Sequence, residues 1–279
     1  MKSFLNDHYR MKDRLMSSSK PVALITGASS GIGAVYANRL AERGYDLVLV
    51  ARRVDRLHAI SEKLTRQHGV EIRTLKADLT VENDLVSLED LLRSDERIAL
   101  LVNNAGNGKL SSTVDMCDVD ANATLALNIV APTRLARAVL PGFVKRNTGA
   151  IINIGSVMAF CTLPITTLYS ATKSYLLTFS QGLKAELAET GVRVQAVLPA
   201  GTATEFYDHA GIPLSAFDQA AIMTTENLVD AALVGFDQGE DVTLPSVHDA
   251  GLWLAYENAR STLFGATQTG VPAPRYKRT

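Results

Sequence analysis

Short apolar segments alternate along this chain with longer segments of helical periodicity, and this alternation constrains the fold more than any other feature of the sequence. The apolar segments, which we predict to be strands, span residues 22–26, 46–50, 71–77, 99–103, 150–155 and 193–198. Most are apolar at consecutive positions, as is typical of strands covered on both faces. The helical segments between them span residues 31–43, 54–68, 81–93, 119–145 and 167–190. The pattern predicts an α/β fold with a doubly wound, mostly parallel sheet and helices on both of its faces.

The rhythm of strands and helices breaks between residues 199 and 224. This segment, which we call the flap, contains Gly201, Gly211 and Pro213 and has little regular periodicity. A long loop or loosely helical stretch of this kind is uncommon in a compact domain, and it usually forms a functional lid or is disordered. Helical spacing returns at residues 225–238, and a short strand and a last helix are predicted at 241–245 and 249–264.

The pattern predicts one domain over residues 20–264, because no linker-like change of composition interrupts it. A chain of 279 residues lies near the upper limit for a single hydrophobic core. We expect residues 1–19 to form a flexible N-terminal arm and residues 265–279 to form a solvated C-terminal tail.

Composition excludes several classes of partner. Lys and Arg number 28 against 29 Asp and Glu, so the clustered basic field that nucleic-acid binding needs is not expected. No run of about 18 apolar residues predicts a membrane span, and the five histidines lack metal-ligand spacing. Two cysteines, Cys117 and Cys161, cannot make a disulfide framework, which favours a reducing, cytoplasmic location.

A glycine-rich turn follows the first predicted strand directly. The sequence Thr-Gly-Ala-Ser-Ser-Gly-Ile-Gly starts at Thr26 and leads into the first helical segment. Glycines here allow a sharp turn and a close approach to a pyrophosphate, and the helix N-terminus adds free N–H groups and a positive dipole end. A structural turn would also use glycine. The position of the turn nevertheless predicts a dinucleotide site formed by Gly27, Ser29, Ser30, Gly31, Ile32 and Gly33.

Two arginines at the end of the second strand indicate which dinucleotide binds. Sites that prefer NAD place an acidic residue there for the ribose 2′-hydroxyl, whereas this chain has Ala51 followed by Arg52 and Arg53. A guanidinium suits a 2′-phosphate, so NADP(H) is predicted to be preferred over NAD(H). The alternative is that both arginines belong to a solvated helix start.

A tyrosine and a lysine share one face of a predicted helix, since Tyr169 and Lys173 are four residues apart. Ser156 ends an apolar strand 13 residues before the tyrosine. A neighbouring ammonium, joined by the positive charge of a nicotinamide, favours the phenolate, so Lys173 is expected to lower the tyrosine's pKa. Ser156 could then hold a substrate oxygen beside the phenol. A Tyr-x-x-x-Lys spacing alone occurs by chance in many helices.

Taken together, these ordered motifs resemble the short-chain dehydrogenase/reductase family in its compact, single-domain branch. The resemblance covers about residues 20–205 and includes Asn103-Asn104-Ala105-Gly106 after the fourth strand. It implies a Rossmann fold, with Asn104, Ala105 and Gly106 at the cofactor. It also implies that Tyr169 and Lys173 contact both cofactor and substrate.

The resemblance assigns two more polar residues. Asn128 matches the fourth catalytic residue, whose main chain in the family holds a water that links the lysine to solvent; alternatively it kinks or caps a long helix. Asp78 matches the acid beside the adenine ring, and it could also cap the helix that follows.

One stretch departs from the family pattern. Where the family has Pro-Gly after the sixth strand, this chain has Pro199 and Ala200, while Thr204 keeps the position of the residue that contacts the nicotinamide carboxamide. Alanine adopts a positive φ only at a cost, and Gly201 could supply that freedom one residue later.

These residues predict an NADP(H)-dependent oxidoreductase that interconverts a carbonyl and a secondary alcohol, with Tyr169 as the acid/base. The alternative is a dinucleotide-binding regulatory or scaffold protein without turnover. Dehydration or epimerisation through transient oxidation is a third possibility. The flap, in which only Glu205, Asp208 and Asp218 are charged, predicts a neutral, largely apolar small-molecule substrate. The resemblance implies a homodimer or homotetramer that pairs the two longest helices.

Overall fold

A parallel seven-stranded sheet forms the centre of the protein in the computed structural model, which describes residues 20–211 and 213–276. The strand order is β3-β2-β1-β4-β5-β6-β7. The strands are β1 (Val22–Thr26), β2 (Asp46–Ala51), β3 (Ile72–Lys76), β4 (Ile98–Asn103), β5 (Gly149–Ile154), β6 (Val192–Val197) and β7 (Val242–Thr243). The doubly wound parallel sheet is confirmed. The predicted N-terminal arm lies outside the described residues.

Helices connect the strands and cover both faces of the sheet. They are α1 (Gly31–Glu42), α2 (Val54–His68), α3 (Glu82–Ser94), α4 (Asp118–Leu125), α5 (Ala131–Arg146), α6 (Thr167–Glu186), α7 (Phe206–Ala210), α8 (Thr225–Gln238) and α9 (Gly251–Ala266). The order of the strands reverses where β1 lies beside β4. Ligands of such sheets bind beyond the carboxyl ends of the strands at this switch point.

Alternate residues of β1 belong to two separate cores. Ala23 and Ile25 pack into the cluster on one face of the sheet, and Val22 and Leu24 pack into the cluster on the other. Successive side chains of a strand point to opposite faces, so a strand covered on both sides must be apolar throughout. This geometry explains the continuous apolar runs in the sequence.

The segment predicted as one helix over 119–145 is interrupted by a single π-helical turn, Ala126–Val130, between α4 and α5. The continuous helical segment that α4, the π-helical turn and α5 form, Asp118–Arg146, is long and apolar enough to cross a membrane. Length and composition are weak evidence, however, because core helices pass the same test, and α5 packs Leu135, Val139 and Phe143 into the core. The expectation that no segment spans a membrane stays a prediction.

The flap is loosely helical, as expected. It contains α7 and two 3₁₀ turns, Leu214–Ala216 and Gln219–Ala221; residue 212 lies outside the described part. Its two ends are joined at the base, where the Met223 N–H donates to the Gly201 carbonyl at 2.9 Å and the Ala203 N–H donates to the Met223 carbonyl at 2.9 Å. The flap therefore leaves the sheet and returns to it as a closed loop.

The described chain divides after Pro245 into two compact units. The helix predicted over 249–264 forms as α9, but it belongs to the second unit, Ser246–Thr279, and not to the main unit. This differs from our domain boundary at residue 264. The reason is that none of the residues of α9 is buried in a core, although its spacing is helical.

Candidate active site

The glycine-rich turn is built so tightly that side chains are excluded from it. Gly27 and Gly31 have φ values of +66° and +54°, which disfavour other residues. A Cβ on Gly33 would lie 2.4 Å from the Gly27 carbonyl oxygen, and one on Gly27 would lie 2.8 Å from Asn104 Nδ2. The exposed backbone at the start of α1 is a cradle of the kind that holds a dinucleotide pyrophosphate.

The Asn104-Ala105-Gly106 segment is fastened to the glycine-rich turn. The Thr26 hydroxyl accepts hydrogen bonds from the N–H groups of Asn104 and Ala105, both at 3.0 Å. Asn104 Nδ2 donates to the carbonyl oxygens of Thr26 and Gly27 at 2.9 and 3.2 Å. The structure therefore brings the two motifs together at the carboxyl ends of β1 and β4.

Arg53 crosses from the end of β2 to the turn. Its Nη2 donates to Ser29 Oγ at 3.1 Å and to Ser30 Oγ at 2.7 Å. Arg52 points outward, with 71% of its side chain exposed, and its Nη1 lies 3.9 Å from a carboxylate oxygen of Asp78. The structure thus brings Arg53 to the two serines of the turn and Arg52 to Asp78, and their contact with a cofactor stays a prediction.

Asp78 does not cap the following helix. That helix, α3, begins at Glu82 after Val81, while the Asp78 carboxylate accepts hydrogen bonds from the Thr80 N–H and hydroxyl at 3.0 and 2.7 Å. Partial burial raises the pKa of Asp78, but the bonds from Thr80 and the charge of Arg52 outweigh it and lower that pKa overall. Asp78 is therefore an anion near the predicted adenosine pocket.

Replacing Arg52 with alanine is expected to weaken NADPH binding by about 10-fold and to leave NADH binding nearly unchanged, since it removes a charge-assisted bond to the 2′-phosphate. Titration of both cofactors against wild type and variant measures this. Arg97→Ala, which removes an exposed arginine paired with Asp95, is the control. Equal losses for NADPH and NADH would contradict the assignment.

Ser156 and Tyr169 meet at the carboxyl end of β5. Ser156 caps a 3₁₀ turn, Val157–Ala159, through a 3.2 Å hydrogen bond from the Met158 N–H to its Oγ. The hydroxyl also lies 3.5 Å from the Pro199 carbonyl oxygen, at the start of the flap. Tyr169 lies in the first turn of α6, near enough to Ser156 for that hydroxyl to oppose the rise of the phenol's pKa. A substrate oxygen bound here would face two hydroxyl groups.

Burial has the largest influence on the pKa of Tyr169, and the expected lowering by Lys173 together with a nicotinamide charge stays a prediction. Burial raises the pKa of Tyr169 to about 12, against the opposing hydrogen bond from Ser156. Lys173 is itself buried, which lowers its pKa to about 8, and its Nζ lies 5.6 Å from the centre of the tyrosine ring. The phenol is consequently protonated at neutral pH, the state in which it can donate a proton.

Asn128 lies at the centre of the π-helical turn and is buried. Its amide donates to the Asn107 carbonyl at 2.8 Å and to Thr172 Oγ1 at 3.0 Å, while Lys173 Nζ donates to the Ile154 carbonyl at 2.9 Å. A Cβ on Gly106 would lie 3.3 Å from Asn128 Oδ1 and 3.6 Å from Lys173 Nζ. Asn128 therefore lies at the interruption of the long helix and is hydrogen-bonded within this group, and its proposed water-binding role stays a prediction.

The flap covers this group of residues from one side. A Cβ on Gly31 would lie 3.3 Å from Thr204 Cγ2, so Thr204 stands over the start of α1. The ring of Phe206 lies 5.5 Å from that of Tyr169. A Cβ on Gly108 would lie 2.7 Å from the Tyr169 ring and 2.8 Å from Phe206. Sequence reasoning missed Gly108, and its place just after the Asn-Asn-Ala-Gly segment was the available signal.

Gly201 does not supply a positive φ in place of the glycine that the family has at position 200. Neither Ala200 nor Gly201 is among the described residues with a positive φ, so the departure from Pro-Gly needs no strained backbone here. Gly201 is required instead by packing, because a Cβ there would lie 2.7 Å from the Ile222 side chain at the other end of the flap.

Two charged residues near the site were also missed. Glu205 accepts hydrogen bonds from Arg53 and Arg56 at 2.7 and 2.5 Å. Lys109 brings its Nζ within 3.9 Å of the position of a Cβ on Gly211, on the flap. In both cases the contact joins residues that are far apart in sequence, and no local sequence pattern predicts such a contact.

Comparison with known proteins agrees with this geometry. Residues 21–211 match the family model described as short chain dehydrogenase. A short-chain dehydrogenase from Sphingobium yanoikuyae, solved in complex with NADPH, is 47% identical with a TM-score of 0.89 and aligns over 92% of this chain and 100% of its own. A bulky-bulky ketone specific alcohol dehydrogenase from Comamonas testosteroni is 42% identical with a TM-score of 0.85, over 92% and 99% of the two chains.

A very-long-chain 3-oxoacyl-CoA reductase from Anas platyrhynchos is 34% identical over 80% of this chain and 72% of its own length. Mammalian reductases of the same name are matched over 60% of their length. The chain thus spans only part of these curated relatives.

Proposed function

The chain belongs to the short-chain dehydrogenase family, and we propose that it reduces a neutral, largely apolar ketone to a secondary alcohol, or catalyses the reverse oxidation. It is an oxidoreductase that uses NADP(H), and the glycine cradle, Arg52, Arg53 and the two serines of the turn fit that cofactor. When bound, NADPH supplies a hydride.

The protein's own residues orient the carbonyl and move the proton. Ser156 holds the substrate oxygen beside the phenol, and the protonated Tyr169 donates its proton to that oxygen. Lys173, fixed by the Ile154 carbonyl, places a positive charge near the phenolate that remains. The single observation that carries the proposal is the position of the buried Lys173, whose Nζ lies 5.6 Å from the centre of the Tyr169 ring at the carboxyl end of the sheet, next to the cofactor cradle.

A run of aromatic rings supports the choice of an apolar substrate. From Tyr169 the rings of Phe206, Tyr207 and Phe217 follow with centroid distances of 5.5, 5.6 and 5.0 Å. Phe217 is 37% exposed at the outer end. On the segment after Ser156, Phe160, Leu163 and Ile165 are 41%, 49% and 39% exposed. Apolar surface removed from water contributes about 25 cal/mol per Å². The alternative is that these side chains serve to pack the flap onto the body.

A second candidate is reduction of a 3-oxoacyl thioester, the activity named for the curated relatives. Lys109 beside the flap favours it, because a cation there could attract the phosphates of a coenzyme A carrier. The same catalytic residues would act on its 3-oxo group.

We expect kcat/KM for ketone reduction to rise by about fourfold for each added methylene group, up to the length of the apolar wall, since a buried methylene is worth about 0.8 kcal/mol. The series compares linear alkyl aryl ketones with polar sugars and with a 3-oxoacyl-CoA, all with NADPH. Efficiency that stays flat with chain length would contradict the apolar substrate. A clear preference for the thioester, reduced by Lys109→Ala, would favour the second candidate.

A further inference from the structure

Glu205, one residue after Thr204 in the flap, is bound from the opposite side of the cofactor cleft. Its two carboxylate oxygens accept separate hydrogen bonds, one from Arg53 at 2.7 Å and one from Arg56 at 2.5 Å. Arg53 precedes α2 and Arg56 lies in its first turn. Along the chain, Glu205 is separated from Arg56 by 149 positions and from Arg53 by 152 positions. The two contacts therefore connect the flap to the adenosine side of the site.

This connection passes over the glycine-rich turn. One edge of the Arg53 guanidinium donates hydrogen bonds to Ser29 and Ser30. Its remaining nitrogen, Nη1, donates a hydrogen bond to Glu205. Beside Glu205, Thr204 lies against Gly31 at the start of α1. The segment 204–205 is therefore held directly above the backbone that cradles the pyrophosphate.

The charges of Arg53, Arg56 and Glu205 favour the ion pairs between them. Hydrogen bonds from Arg56 and Arg53 hold the pKa of Glu205 at about 2, despite opposition from burial, so its carboxylate is ionised over the whole working range of pH. Three arginines, Arg52, Arg53 and Arg56, face two carboxylates, Asp78 and Glu205. One positive charge is left over for a 2′-phosphate, so phosphate and Glu205 can be held together.

We propose that Glu205 is a positioning residue that ties the flap to Arg53 and Arg56 across the cleft and thereby slows release of the bound dinucleotide. The tie acts on the segment above the pyrophosphate, which NADPH and NADH share. NADH, which lacks the 2′-phosphate, therefore reports the loss of the tie alone, whereas with NADPH the loss is partly offset because Arg53 is freed for the phosphate. The inference rests on the proposed oxidoreductase only through its cofactor site and is independent of the substrate.

The test is the rate of cofactor release, followed by stopped-flow fluorescence after a chase with oxidised cofactor. Glu205→Gln keeps the size of the side chain and removes its charge, and we expect release of NADH to become about 3- to 10-fold faster and release of NADPH to be accelerated less. Arg56→Gln, which leaves the turn untouched, is expected to have a similar effect, and the double variant no more than either alone. Glu205→Asp should restore part of the wild-type rate.

Asp230→Asn is the matched control, because it breaks a comparable ion pair with Arg39, between α8 and α1, away from the flap. Amide hydrogen exchange at residues 202–206 of cofactor-free protein gives a second readout, and it should become faster in Glu205→Gln and not in the control.

The proposal would be overturned if the cofactor left Glu205→Gln no faster than it leaves Asp230→Asn. It would also be overturned if the release of NADPH alone became faster, because Glu205 would then act on the phosphate pocket. If no ketone is reduced but release accelerates as expected, the tie stands and the proposed reaction fails.

Discussion

Replacing Tyr169 with phenylalanine is expected to lower kcat for ketone reduction by about 10²- to 10⁴-fold, the usual contribution of a positioned general acid. The ring keeps its contacts with Phe206 and Gly108, so the fold and the affinity for NADPH should change little. Steady-state kinetics and a cofactor titration of the same preparation measure both quantities.

Tyr175→Phe is the control for this substitution. Tyr175 lies on the same helix, and its hydroxyl is hydrogen-bonded to Thr133 Oγ1 at 2.8 Å. The control variant therefore also loses one phenolic hydroxyl group, but that group lies away from the site. If Tyr169→Phe kept most of the wild-type turnover, the proton donor would have to be another group.

Replacing Lys173 with methionine is expected to abolish most turnover while changing how stability depends on pH. Burial lowers the pKa of Lys173 from 10.5 to about 8. A cation with a depressed pKa in the folded state destabilises the protein below that pKa, because folding then has to bury the charge. Between the folded and unfolded pKa values the unfolded chain binds more protons, so stability rises with pH. Methionine has no such charge.

The stability advantage of Lys173→Met over wild type should therefore be largest at pH 7 and shrink by about 2–3 kcal/mol by pH 10. The absolute difference at pH 7 is smaller than this change, since the variant also leaves the Ile154 carbonyl without its 2.9 Å hydrogen bond. Urea unfolding at several pH values measures it, with Lys145→Met, an exposed lysine on α5, as the control. A difference that does not vary with pH would show that burial does not depress the lysine's pKa.

The sheet and the cofactor motifs could be predicted because their determinants are local. A strand covered on both faces must be apolar at consecutive positions, as β1 is, and a turn that touches a pyrophosphate must contain glycine at Gly27 and Gly33. Both constraints can be recognised in a few adjacent residues. The spacing of Tyr169 and Lys173 on one helix face is equally local.

What sequence reasoning missed depends on contacts between distant segments. Gly108 is fixed by the rings of Tyr169 and Phe206, and Glu205 by two arginines about 150 positions away. Burial raises the pKa of Tyr169, and the helical spacing does not reveal that burial. The boundary after Pro245 was missed because α9 has helical periodicity without any buried residue.

The central claim, that Tyr169 protonates a carbonyl that accepts a hydride from NADPH, is tested most directly by following a deuterium label. Wild type and Tyr169→Phe are each incubated with NADPH that carries deuterium at both C4 positions and with a hydrophobic aryl ketone, and the alcohol is analysed by mass spectrometry. We expect one deuterium at the carbinol carbon in wild type, and formation of the same labelled alcohol about 10²- to 10⁴-fold more slowly in the variant. An unlabelled alcohol, or a labelled one formed equally fast by both proteins, would contradict the claim.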